Sequence, residues 1–175
     1  ASGLMTGAVN YTAGGSLTAN GGITGNIDFA GHAGTLNLAA GQTITGSVDS
    51  TGSANGSLNL TGGTVTGAVG SSFPLSSVTF NAGASSLGAA AKATSFTIAG
   101  NNTTAVTATG LMTGAVKYTA DSRLTANGGI TGSVTTNTNN TGTLLLRGVT
   151  GTVTGAIGSA TAALKAVGFG TGLGA

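Results

Sequence analysis

Apolar and polar positions alternate along most of the chain with a period of two. In Thr43-Ile44-Thr45-Gly46-Ser47-Val48, Ile44 and Val48 fall on one face and Thr43, Thr45 and Ser47 on the other. The pairs Ile23/Ile27, Val65/Val69, Val153/Ile157, Leu36/Leu38 and Leu58/Leu60 read the same way. Alternation of this kind, rich in β-branched residues and broken by Gly, Asn and Ser, predicts short strands joined by turns. The density of Gly and Thr disfavours helix, leaving 87–94 and 160–167 as the two stretches able to form a helical turn.

The strands recur. Gly3-Leu4-Met5-Thr6-Gly7-Ala8-Val9 returns as Gly110-Leu111-Met112-Thr113-Gly114-Ala115-Val116, and the nine residues from Leu17 to Gly25 return from Leu124 to Gly132, both at an offset of 107. Further on, Val65-Thr66-Gly67-Ala68-Val69-Gly70 has its counterpart in Val153-Thr154-Gly155-Ala156-Ile157-Gly158, and Leu75-x-x-Val78-x-Phe80 matches Leu164-x-x-Val167-x-Phe169 at an offset of 89. The chain therefore reads as a first module over 1–109 and a shortened second copy over 110–175, continuous with the first. A smaller unit lies inside each module. A pentapeptide of the form apolar-Thr-Gly-x-apolar starts at Met5, Ile23, Ile44, Val65, Met112, Ile130 and Val153, at intervals of 18, 21, 21, 47, 18 and 23.

Tandem units of 18–23 residues, each with two or three short strands, predict an all-β fold: a parallel β-solenoid of roughly eight coils. Coils stack about 4.8 Å apart, so equivalent residues form vertical ladders on a rod of about 40 Å. The expected core ladder is Met5, Ile23, Ile44, Val65, Met112, Ile130 and Val153 at one azimuth, the interval of 47 being taken as two coils. Thr, Ser and Asn ladders would face outward, and Gly would serve the corners.

Composition narrows the function. The 175 residues include 34 Gly, one Pro and no Cys or Trp, and only 5% are charged. Absence of Cys removes disulfide frameworks and Cys-rich metal sites. The five Lys and Arg are too dispersed for a nucleic-acid groove. No apolar run approaches the ~18–20 residues that span a bilayer, so no direct membrane span is expected in this segment, which reads as a mature or excised piece. Near Gly172 the second module reaches the point matching Gly83 of the first, which points to further coils of a longer chain or to end-to-end docking of another copy.

The run from Gly34 to Gly52, Gly34-Thr35-Leu36-Asn37-Leu38-Ala39-Ala40-Gly41-Gln42-Thr43-Ile44-Thr45-Gly46-Ser47-Val48-Asp49-Ser50-Thr51-Gly52, resembles passenger segments of autotransporter surface antigens, most of all the rickettsial outer-membrane protein B group of surface cell antigens. So do Thr64-Val65-Thr66-Gly67-Ala68-Val69-Gly70 and Leu164-Lys165-Ala166-Val167-Gly168-Phe169-Gly170. The resemblance implies export across an outer membrane, an extracellular location at the bacterial cell surface, and a role in adhesion or coat formation. The amphipathic barrel strands of such proteins have no counterpart in this sequence.

Catalytic chemistry finds little purchase. A Ser-His-Asp triad would need His32, the single histidine, with Asp28 as the nearest acid, yet no Gly-x-Ser-x-Gly elbow accompanies them. There is no Glu, the three Asp are scattered, and neither a Walker phosphate loop nor a calcium-roll repeat occurs. No catalytic, cofactor or metal residue is therefore assigned. The expected function is a non-enzymatic rod for adhesion or surface coating, whose partners are a host-cell surface protein or glycan, or copies of itself. Two alternatives accompany it: a self-assembling subunit of an extracellular filament or layer, and an ice-binding solenoid. For the last, Thr43-Ile44-Thr45, Thr64-Val65-Thr66 and Thr152-Val153-Thr154 offer a Thr row, which Leu4, Gly22, Leu111 and Gly129 would break if all seven pentapeptides stacked together.

Overall fold

The computed structural model describes residues 1–101, 104–148 and 151–170. These residues form twenty short strands and no helix. All strand pairings are parallel. The chain winds as a stacked series of coils, each strand pairing with its equivalent one coil away, so that a sheet of nine strands records eight turns. The expected β-solenoid is therefore the fold. Neither stretch considered for a helical turn is helical: Leu87 and 91–94 lie in the strands Ala84–Leu87 and Ala91–Ile98, and 160–165 is irregular ahead of the strand Ala166–Phe169.

Each coil presents three faces, and each face carries a core ladder. On the first, Met5, Ile23, Ile44, Val65, Leu87, Ala108, Ala126, Leu146 and Phe169 stack in register. Four residues further round, the second face stacks Val9, Ile27, Val48, Val69, Ala91, Met112, Ile130 and Val153. The third stacks Leu17, Leu36, Leu58, Val78, Phe96, Val116, Val134 and Ile157. A further inward row behind this third ladder, including Leu38, Leu60, Phe80 and Ile98, completes a core that is buried almost throughout. Small residues recur in it, among them Ala91, Ala108 and Ala126, because the coil cross-section leaves little room.

The seven pentapeptides do not share one azimuth. Met5, Ile23, Ile44 and Val65 lie on the first face, but Met112, Ile130 and Val153 lie on the second. All seven point into or against the core, with Met5 and Val153 only partly buried at the two ends of the set. The interval of 47 explains the error: from Val65 the ladder climbs two coils to Ala108, and Met112 is four residues beyond it, on the next face. The whole second copy shifts likewise. Val9 is on the second face and its counterpart Val116 on the third; Leu17 is on the third and Leu124 on the first; Phe80 is on the third and Phe169 on the first. The duplicate is the same coil sequence advanced by one face. The ladders also cross the 109/110 junction without interruption, through Ala91↔Met112 and Ala108↔Ala126.

The corner between the first two faces explains the Thr-Gly dipeptide. Gly25 and Gly46 adopt φ values of 147° and 149°, and a Cβ at either would meet the carbonyl oxygen of the glycine one coil below at 2.1 and 2.3 Å. The preceding Thr also serves the stack: Thr66 Oγ1 accepts from the Gly46 N–H (3.3 Å) and donates to the Ile44 carbonyl (3.3 Å). In the second copy Thr154 Oγ1 accepts from Gly132 N–H in the same way (3.2 Å), now at the corner between the second and third faces. The motif is a corner, and two different corners accept it.

Candidate functional site

Outward side chains follow the same ladders. On the third face two rows run side by side: Ser16, Thr35, Ser57, Ser77 and Ser95, and two residues along, Thr18, Asn37, Asn59, Thr79 and Thr97. Alternation forces this, since the residues between them are the partly buried Leu17 and the buried Leu36, Leu58, Val78 and Phe96. Neighbouring rungs hydrogen-bond, Asn59 Nδ2 to Asn37 Oδ1 at 2.8 Å, Asn37 Nδ2 to Ser16 Oγ at 3.1 Å, and Ser77 Oγ to Ser57 Oγ at 3.0 Å. Besides a row of Thr6, Thr24 and Thr45, the first face carries the row Thr43, Thr64, Ser86, Thr107 and Thr125. This row is longer than the sequence implied, because the glycine and leucine expected to interrupt it, Gly129 and Leu111, belong to the shifted copy. Gly22 still ends it below, and Thr152-Val153-Thr154 lies on another face.

The turn after the second face holds the acidic residues of the first module. Asp28 stacks on Asp49 in register. Asp28 accepts from the N–H groups of Ala30 (2.7 Å) and Thr51 (3.0 Å) and from Thr51 Oγ1 (2.7 Å). Asp49 accepts from the Ser50 and Ser72 N–H groups and from the hydroxyls of Ser71 (2.6 Å) and Ser72 (2.8 Å). For both, burial raises the pKa, but these hydrogen bonds to the ionised form outweigh it and hold the carboxyl below its ordinary value. The two acids are thus turn-formers. His32 sits in the Ala30-Gly31 turn nearby, half-buried, its N–H donating to the Phe29 carbonyl (2.8 Å). Among the described residues no three His, Cys, Asp or Glu side chains gather as a metal site, and no helix is long and apolar enough to cross a membrane.

A groove of about 360 Å³ opens at the start of the first face in the upper coils, lined by Thr104, Ala105, Asp121, Ser122, Arg123, Thr143 and Lys165. Arg123 stands outward in register between Ala105 and Thr143, whose short side chains leave room on both sides. Lys165 Nζ donates to Asp121 Oδ2 at 2.6 Å, and this ion pair, together with the hydrogen bond from Gly142 N–H to Asp121 Oδ1, holds the Asp121 carboxyl below its ordinary value. The Ser122 hydroxyl donates to the Gly100 carbonyl. Thr104 is 1% exposed, and its Oγ1 has no hydrogen-bond partner.

Sequence reasoning passed over this groove, although a signal for it exists. From Gly3 to Gly25 and from Gly110 to Gly132 the two copies differ at four positions: Asn10/Lys117, Gly14/Asp121, Gly15/Ser122 and Ser16/Arg123. Three of the four line the groove, and Lys165, across from them, replaces Ser76 of the first module. Gly172, where the second module reaches the point matching Gly83, lies outside the described residues with the rest of 171–175. Comparison with protein-family models, with curated proteins and with solved structures gives no match to the chain.

Proposed function

We propose that the chain is a non-enzymatic segment of an extracellular bacterial surface protein, a stiff β-solenoid rod that serves adhesion or surface coating. The observation carrying this reading is the outer surface itself: ladders of short hydroxyl and amide side chains that run through five successive coils, on a rod whose every coil is locked to its neighbours. Such a surface offers many repeated weak contacts, and the sparse charge of the chain lets flat faces approach one another or a host surface. The resemblance to autotransporter passengers supports the same reading. The test is binding of the purified chain to host cells, matrix proteins and immobilised glycans, alongside sedimentation and negative-stain imaging. Saturable binding by a monomer, unchanged in His32→Ala, is the expected result. Ordered arrays formed by the chain alone, without such binding, would favour the filament or layer subunit instead.

The paired rows on the third face favour a second reading, binding to ice. Rungs about 4.8 Å apart and rows about 6.6 Å apart form a net of polar groups with spacings like those of oxygens on an ice crystal face. Thr79 is central in that net, between Asn59 and Thr97. Inhibition of ice recrystallisation, abolished by Thr79→Tyr, would support this reading, and ice growing unaltered at high protein concentration would reject it.

A further inference from the structure

We propose that the groove around Arg123 is a binding site for an acidic saccharide unit, its carboxylate held by the Arg123 guanidinium. Three observations converge on it. The chain has eight charged side chains in all, and three of them, Asp121, Arg123 and Lys165, line this one groove although Lys165 lies 44 residues from Asp121. All three stand where the first module has uncharged residues, Gly14, Ser16 and Ser76, and the segment around Asp121 and Arg123 is otherwise nearly identical between the copies. The fold needs none of these charges, because the first module builds the equivalent coils without them. Finally, the groove is unsaturated. The single aspartate is engaged by Lys165 at 2.6 Å, whereas among the described residues the Arg123 side chain has no hydrogen bond or ion pair, and the buried Thr104 hydroxyl in the wall has no partner.

The chemistry of the occupant follows from these groups. Two cations against one carboxylate leave one positive charge for a ligand, which suits a monoanion. A guanidinium donates two parallel N–H bonds to a planar carboxylate, a geometry an ammonium cannot offer. Lys165, already paired, fixes Asp121 rather than competing for the anion. The hydroxyl of Thr143 and the methyl of Ala105 flank Arg123 in the outward row, a mixed polar and apolar edge of the kind that follows a sugar ring. The volume of about 360 Å³ is at the small end of ligand sites and fits one monosaccharide rather than a long chain.

This inference deepens the adhesive reading and rests on it for the source of the ligand, but the binding step is tested separately. Glucuronate, glucose and acetate are titrated into the whole chain, with NMR chemical shifts as the readout. Glucuronate is expected to bind and shift resonances around Arg123, while glucose and acetate each bind about tenfold more weakly or not at all. Arg123→Ser, which restores the residue of the first module at an exposed position, should keep the melting temperature and lower glucuronate affinity by about tenfold. Arg123→Lys, which keeps the charge but loses the planar fork, should fall between the two. Acetate binding as tightly as glucuronate would overturn the saccharide assignment. Undiminished affinity in Arg123→Ser or Arg123→Lys, or no binding of glucuronate at all, would overturn the site. Should glucuronate fail while the rod still adheres to host cells, the groove is excluded and the adhesive reading stands.

Discussion

At the scale of the residue, the structure rests on positions where a side chain cannot be added. Gly46 has φ 149°, and a Cβ there would lie 2.3 Å from the Gly25 carbonyl oxygen. Gly46→Ala is expected to cost about 3 kcal/mol or more, combining backbone strain with a backbone clash that no rotamer relieves. Gly41 makes the contrast: φ is 70°, but nothing lies within 4 Å of its Cβ position, so Gly41→Ala should cost only about 1 kcal/mol. Urea denaturation of the two variants measures the difference, and equal losses would mean that close stacking at the corner is unimportant. Asp28 and Asp49 give a second expectation. Their folded-state pKa values lie below the ordinary 3.8, so the unfolded chain binds protons more readily than the folded one. Their stabilisation is complete above that value and is lost as pH falls through it and below. The melting temperature should therefore drop between about pH 5 and about pH 2, and the double variant Asp28→Asn, Asp49→Asn should lose much of this drop. An unchanged acid response in that variant would show that the turn hydrogen bonds contribute little.

At the scale of the element, strands were legible and their stacking was only partly so. Alternation located Thr43–Thr45, Thr35–Leu38 and Ser57–Thr61, because inside and outside alternate strictly along a strand. It also marked Ile44 and Met112 as inward, and both are fully buried. What alternation does not encode is which face a strand occupies, since all three faces present the same pattern of apolar inside and polar outside. Met112 consequently pairs with Ala91 and Ile130, in the ladder of Val48 and Val69 rather than that of Val65. Cross-linking reads this register directly. Lys92 and Thr113 are outward partners on adjacent coils, so Lys92→Cys with Thr113→Cys should form a disulfide under mild oxidation. The pair Ser86→Cys with Leu111→Cys, which a single ladder with Met112 directly above Leu87 would bring together, should stay reduced, because Ser86 pairs with Thr107. The reverse outcome would restore the single ladder.

At the scale of the whole molecule, stability is distributed along one dimension. Each coil touches chiefly the coils above and below, and no sheet depends on a contact distant along the rod. Removing one coil should then rejoin compatible ladders. Deleting 44–64 brings Ile23 beneath Val65 and keeps both corners, because Ile23, Ile44 and Val65 already occupy the same ladder. The shortened chain should keep its β-sheet circular dichroism and a cooperative melt, with the midpoint lowered by only a few degrees, about the share of one coil among eight. Collapse of the fold on this deletion would mean that the core is not modular. The same modularity accounts for the second copy, which lacks about one coil and is advanced by one face, yet continues the rod without a break.

The sequence by itself determined the all-β class, the coil length, the inward residues and the glycine corners. Each of these follows from local rules: the period of side-chain alternation, the need for positive φ, and the recurrence of one short unit. It also left a mark of the groove, in the few positions where two nearly identical segments diverge, but gave no reason to connect Asp121 and Arg123 with Lys165. Tertiary structure alone decided azimuth and proximity. A shift of four residues, from Ala108 to Met112, changes no local preference but moves every later strand to another face, and so carries Asp121, Arg123 and Lys165 together beside Thr104 and Thr143. Position around a solenoid accumulates over every preceding coil, and no single coil records the total.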